Sequence, residues 1–148
     1  MVRLDETDYK ILKLLQSNAR MPVKSIAEQV FVSAPTVSAR IEAMRKEGVI
    51  KGFYTEINPM VFGNTIRAFI DVEVAPSGKS AELYDWLRAN PQVVACTRVT
   101  GEYSLLIEVI LKDTEDMDKF INHMQRYGRT KTQIVFSSVL DHRGAIIE

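Results

Sequence analysis

Ser33, Ala34, Thr36, Ser38, Ala39, Arg40, Arg45 and Lys46 crowd into one short stretch, Ser33-Ala-Pro-Thr-Val-Ser-Ala-Arg-Ile-Glu-Ala-Met-Arg-Lys46. Small hydroxyl donors interleaved with guanidinium groups suit hydrogen bonding to base edges and phosphates. On a helix, Thr36, Ser38, Ala39, Arg40, Glu42 and Arg45 are expected on the outer face. Arg40 is assigned there as the guanine reader, and Thr36 and Ser38 as short donors to bases or phosphates. The helix start at Ser33 and Ala34 suits a phosphate. Arg45, Lys46 and Lys51 are expected to contact phosphates or solvent. Catalytic chemistry finds no comparable set: no Ser/His/Asp group, Gly-rich phosphate loop or HExxH occurs. One cysteine (Cys96) and two histidines (His123 and His142) make a poor ligand inventory, so no metal, cofactor or intramolecular disulfide is expected.

The elements that must carry these residues are legible from periodicity. Asp5 caps an expected helix running to Ala19, with Asp8 at the capping-box position and Ile11, Leu12 and Leu15 as its apolar stripe. A second helix fits Val23 to Val30 behind Pro22, burying Ile26, Ala27 and Val30. The third starts at the N-cap Ser33 with Pro35 in its first turn. It buries Val37, Ile41 and Met44 and stops at Gly48. A small Ala27 lets the second and third helices cross closely, as a helix-turn-helix requires. The bland alternative is a three-helix packing module with a solvated polar face. Val49–Gly52 and Phe53–Ile57 predict a small hairpin, or wing, ended by Asn58-Pro59.

From Ile66 the apolar period changes to two: Ile66, Ala68, Ile70, Val72 and Val74 alternate with polar neighbours. Pro76–Gly78 predicts a turn, and a helix follows from Ser80 to Ala89 with Leu83, Trp86 and Leu87 inward. Strands are expected over Val93–Thr100 and Tyr103–Leu111, joined at Gly101-Glu102. A helix carrying Met117, Phe120, Ile121 and Met124 comes next, ended by Gly128, and a last strand spans Thr132 to Leu140. The order β-α-β-β-α-β predicts an α+β protein: a winged helix-turn-helix domain, then a ferredoxin-like βαββαβ domain with an antiparallel sheet. The boundaries expected are 1–58, a linker over 59–64, and 65–148. Trp86 and the methionine stripe are assigned to the core, Cys96 to a buried small apolar position, and His123 and His142 to surface or interface.

Composition bounds the rest. The 148 residues are 46% hydrophobic and 26% charged, with a formal net charge of zero, the profile of a globular protein rather than a disordered or membrane-spanning one. Residues 1–52 nevertheless carry a net +3 and residues 53–148 a net −3, so the front is the part suited to an anionic partner. The acidic start, Met1-Val-Arg-Leu-Asp-Glu6, lacks the apolar core of a signal peptide, so a cytoplasmic protein is expected.

Leu4-Asp5-Glu-Thr-Asp8-Tyr-Lys-Ile11-Leu12, Asn18-Ala19-Arg20, Ile26-Ala27, Ser33-Ala-Pro-Thr36-Val37-Ser-Ala-Arg40-Ile41, Gly48-Val-Ile50-Lys-Gly52 and Asn58-Pro59 together resemble the Lrp/AsnC, or feast/famine, transcription regulators. The resemblance implies a DNA-binding regulator of double-stranded DNA in the bacterial or archaeal nucleoid. It implies dimerisation through the back domain and often octamers. It also implies an amino-acid effector held where dimers meet, around the turn between the second and third strands. The matching stretch is Thr100-Gly101-Glu102-Tyr103-Ser104, approached by Thr130, Thr132 and Gln133 from the last strand. Gly101 leaves backbone amides open to a carboxylate. Ser104 stands where the family pattern has an aspartate, and Glu102 is expected to supply the charge for an ammonium group instead. Phe31 stands where the family commonly has glycine, in the turn between the second and third helices. Two other functions fit the architecture: a DNA-compacting protein with no effector, and a tetrapyrrole decarboxylase, for which the back domain is short of basic and imidazole groups.

Overall fold

The computed structural model describes residues 3–75, 79–140, 144, 145 and 147. The turn expected at Pro76–Gly78 and the position of His142 lie outside the described residues. The chain forms two compact units, Met1–Glu56 with Asp141–Glu148, and Ile57–Leu140.

In the first unit, α1 spans Glu6–Ser17, α2 Val23–Val30 and α3 Ala34–Lys46. Both halves of the α1 capping box form: the Asp8 amide donates to Asp5 Oδ1 at 2.9 Å, and the Asp5 amide to Asp8 Oδ2 at 3.0 Å. Ser33 caps α3 by accepting from the Thr36 amide at 3.3 Å. Ile11, Leu15, Ile26, Ala27, Val30, Val37 and Met44 form the core, and Ile41 packs partly buried against it. Burying each of the larger side chains contributes about 2 kcal/mol. Phe31, between α2 and α3, adopts the left-handed conformation (φ 58°, ψ 41°).

The hairpin expected over Val49–Ile57 does not form. The Val49 and Ile50 amides both donate to the Met44 carbonyl, at 2.9 and 3.1 Å, closing the C-terminus of α3 after Gly48 at φ 74°. Both side chains pack on the helical core. Residues 51–58 carry no strand, and Phe53, Tyr54 and Ile57 are left exposed.

The second unit opens with a single 3-10 turn, Pro59–Phe62, capped by Asn58. Then follow β1 (Ile66–Val74), α4 (Ser80–Ala89), β2 (Val93–Arg98), β3 (Leu105–Leu111), α5 (Thr114–Gln125) and β4 (Gly128–Ile134). The sheet order is β2-β3-β1-β4, antiparallel throughout, the split βαβ arrangement. Ala68, Ile70 and Val72 of β1 and Leu105, Ile107, Val109 and Leu111 of β3 are buried with Leu83, Leu87, Phe120, Met124 and Tyr127. The other face, with Arg67, Phe69, Asp71, Leu106, Glu108 and Ile110, is only partly covered or exposed.

Three boundaries differ from the sequence reading. β2 ends at Arg98 and β3 begins at Leu105, so residues 99–104 are a loop rather than a two-residue turn. β4 starts at Gly128, four residues before Thr132, and ends at Ile134 rather than Leu140. Helix α5 ends at Gln125, and Gly128 does not stop it but opens the strand. A Cβ at Gly128 would lie 1.8 Å from the Glu73 carbonyl oxygen, so only glycine lets β4 run this close to β1.

Candidate nucleic-acid interface and ligand site

Helix α3 turns its apolar stripe inward and leaves Thr36, Ser38, Ala39, Glu42, Arg45 and Lys46 exposed. These side chains are short over the first two turns, so a neighbouring surface can approach the backbone closely there. Ser33 and Ala34 stand at the helix start. The Ser33 hydroxyl already accepts from the Thr36 amide and lies 2.7 Å from Thr36 Oγ1. Arg45 pairs with Glu42 at 2.9 Å, a solvated pair of little energetic weight that a phosphate can replace. Lys46 and Lys51 are exposed.

Arg40 is the correction. It does not stand on the outer face: its Nη1 donates to Asp5 Oδ2 at 2.7 Å and to Asp8 Oδ1 at 2.8 Å, tying α3 to the capping box of α1. Asp8 is buried, with its side chain only 12% exposed. The Arg40 guanidinium and the Asp8 amide hold the Asp5 carboxyl below its ordinary value, and the two carboxylates push Arg40 upward. The signal was present in the spacing. Arg40 is three residues after Val37 and four before Met44, which puts it on the flank of the buried stripe.

In the second unit the loop 99–104 joins β2 to β3 at one end of the sheet. Gly101 takes φ 117° with open space where a Cβ would stand. Thr100 and Glu102 are exposed and Tyr103 half-buried. Ser104 is built into the sheet: its amide donates to the Val72 carbonyl at 3.0 Å, and its hydroxyl accepts from the Val74 amide at 3.2 Å. A serine serves there because a hydroxyl can accept from one strand amide without carrying charge.

Glu102 is not a free carboxylate awaiting an ammonium group. It pairs with Arg129, whose Nε donates to Glu73 Oε2 at 3.0 Å and whose guanidinium sits 5.7 Å from the Tyr103 ring centre. Glu73, then Glu102, raise the Arg129 pKa above its ordinary value. Sequence reasoning missed Arg129 and Glu73. Their signal was cross-strand complementarity, since Arg129 faces Glu73 and Lys131 faces Asp71 in the register of β1 with β4. Thr132 and Gln133 do not converge. Thr132 pairs with Ile70 on the helix-covered face, whereas Gln133 donates to Asp71 Oδ2 at 3.0 Å on the other.

Two further residues stand apart from expectation. Cys96 is exposed on the edge strand β2, not buried, because its side chain borders an open groove beside α4 rather than the core. His123 is half-buried rather than on the open surface. Its ring stacks on Trp86 at 4.0 Å between centroids, and burial pushes its pKa below the ordinary value. No metal-binding cluster of three or more His, Cys, Asp or Glu side chains occurs among the described residues, and none of their helices is long and apolar enough to cross a membrane.

Comparison with known proteins agrees with both halves. Residues 4–51 match the winged helix-turn-helix DNA-binding family, and residues 67–145 match the Lrp/AsnC ligand binding domain. The chain is similar to the HTH-type transcriptional regulator AldR of Mycolicibacterium smegmatis, 32% identical with 96% of this chain and 85% of that protein covered. It is also similar to the HTH-type transcriptional regulator FL11 of Pyrococcus horikoshii, 34% identical with 82% and 80% covered. A Neisseria meningitidis transcriptional regulator solved as a complex with L-methionine shares the fold, with a TM-score of 0.85, 23% identity and 94% of both chains covered. A helix-turn-helix unit whose third helix leaves a face of short side chains open, followed by a βαββαβ unit, thus places this chain in the Lrp/AsnC family of transcriptional regulators.

Proposed function

We propose that the chain regulates transcription by reading an operator sequence through α3 in the major groove of double-stranded DNA. The observation that carries this reading is the exposed run Thr36, Ser38, Ala39 on a helix otherwise locked to its neighbours. Thr36, Ser38 and Ala39 approach base edges, and Ser33 and Ala34 approach a phosphate at the helix start. Arg45, Lys46 and Lys51 supply further phosphate contacts. The protein acts on the nucleoid in the cytoplasm, without catalysis and without a metal.

The second unit senses a small amino acid. The match to a ligand-binding domain and the L-methionine complex of a protein of the same fold support this reading. Thr100, Gly101, Glu102, Tyr103 and Ser104 form one wall, the exposed amides beside Gly101 taking the carboxylate. Thr132 and Gln133 belong to the adjoining strand. Since Glu102 is held by Arg129, an ammonium group must displace that guanidinium or use a second copy of the chain. The half-exposed Phe69, Leu106 and Ile110 on the sheet face without helices support assembly into a homodimer, and four such dimers would make an octamer, with other higher assemblies built from the same dimer. Effector binding alters DNA affinity only through a difference in its affinity for two states of that assembly.

Fluorescence anisotropy on a duplex selected by the protein from a random pool, beside a scrambled duplex at two salt concentrations, tests the reading. Preference for the selected duplex that survives the higher salt, and is lost in Ala39→Glu, is the expected result. Equal, salt-labile binding to both duplexes overturns sequence-specific regulation in favour of DNA compaction.

A further inference from the structure

We infer that Arg40 is a positioning residue for DNA reading: with Asp5 and Asp8 it fixes the rotation of α3 about its axis, and it does not itself touch DNA. The inference rests on the operator-reading role proposed for α3 and assigns the element that sets its accuracy. Three observations carry it. One guanidinium nitrogen is shared between two carboxylates, at 2.7 and 2.8 Å. Those carboxylates are themselves immobilised, because each accepts the other residue's backbone amide in the capping box of α1. Asp8 is the single buried charged residue among those described, so losing Arg40 strands an oxygen that water cannot reach freely.

The position of Arg40 makes the tie matter. It directly follows Ser38 and Ala39 in the middle of α3, exposed residues within two positions of its centre. A helix with side chains is about 10–12 Å across, so a 20° rotation moves an outer atom by about 2 Å. Base-edge hydrogen bonds tolerate only a few tenths of an ångström, whereas flexible lysines follow a phosphate over larger shifts. Loosening the tie therefore degrades discrimination between sequences while leaving non-specific attraction in place.

The test works from the partner side, which separates positioning from contact. Asp8→Asn and Asp5→Asn weaken the anchor and leave the Arg40 charge intact. Asparagine is as good an N-cap as aspartate, so Asp5→Asn keeps α1 formed and remains informative if Asp8→Asn fails to fold. Operator and scrambled duplex are titrated by anisotropy with the full chain over a range of salt. Positioning predicts that the operator-to-scrambled affinity ratio falls about tenfold in each variant. Affinity for the scrambled duplex and its salt slope stay as in the wild type, and Arg40→Gln behaves alike. A DNA contact by Arg40 predicts instead that the Asp variants keep the ratio or bind more tightly. It also predicts that Arg40→Gln reduces the salt slope by about one; either result overturns the inference. If the wild type itself prefers neither duplex, it is the operator-reading role that fails, and the positioning role falls with it.

Discussion

Phe31 holds a left-handed backbone conformation with its ring 92% exposed. A side chain with a Cβ costs about 1 kcal/mol there relative to glycine, and this ring returns no packing to offset it. Phe31→Gly is expected to raise the unfolding free energy by up to about 1 kcal/mol in urea melts, since nothing buried is removed; a destabilised variant would show the ring to be packed in the native assembly. His123 reports on the other unit. Burial lowers its pKa, so the folded state favours the neutral ring and binds fewer protons than the unfolded chain near pH 6. Stability is full above about pH 6.5 and declines as the pH falls through the lowered folded value. Asp5 acts in the same direction lower down: Arg40 depresses its carboxyl, so that contribution is present above about pH 4 and is lost on acidification. Trp86 is the sole tryptophan and stacks on His123. Its emission is therefore expected to fall as His123 protonates, with a midpoint below the ordinary histidine value, and His123→Gln is expected to remove the step. A midpoint at the ordinary value would mean that the ring is solvated.

At the scale of elements, Gly128 is the position with least tolerance. Gly128→Ala forces its methyl group against the Glu73 carbonyl and is expected to cost about 1–3 kcal/mol in chemical denaturation, whereas Gly101→Ala meets open space and is strained only through its backbone at φ 117°. The contrast shows what sequence makes legible. Helices α1, α2 and α3 were readable because Asp5, Pro22, Ser33 and Gly48 are local signals acting within a turn of themselves. Strand β1 was readable from its strict alternation. The start of β4 was not, because Gly128 looks like a helix stop until its approach to β1 is known. The wing failed for a related reason: Val49 and Ile50 have strand-like side chains, but Met44 offers their amides a nearer acceptor. The partners of Arg40 and Glu102 were not legible because they lie 32 or more and 27 residues away in sequence, and a lone charge reads as available until its partner is placed.

Across the whole molecule, net charge is uneven: residues 1–52, which include α3, carry a net +3, and residues 53–148, which include the open sheet face, a net −3. Leu106 lies on that face, across from Asp71. Leu106→Arg is therefore expected to lower the mass seen by sedimentation without changing the far-ultraviolet circular dichroism, and an unchanged mass would move the assembly surface elsewhere. The strand order carries a kinetic consequence. Strand β1 is made before the other strands yet lies inside the sheet, paired to β3 about forty residues on and to β4 about sixty. Its central hydrogen bonds must wait for chain that has not yet been synthesised, whereas the helices of the first unit need only near neighbours. During synthesis, therefore, the three helices of the first unit can take form first, and the βαββαβ sheet is completed only when β4 arrives.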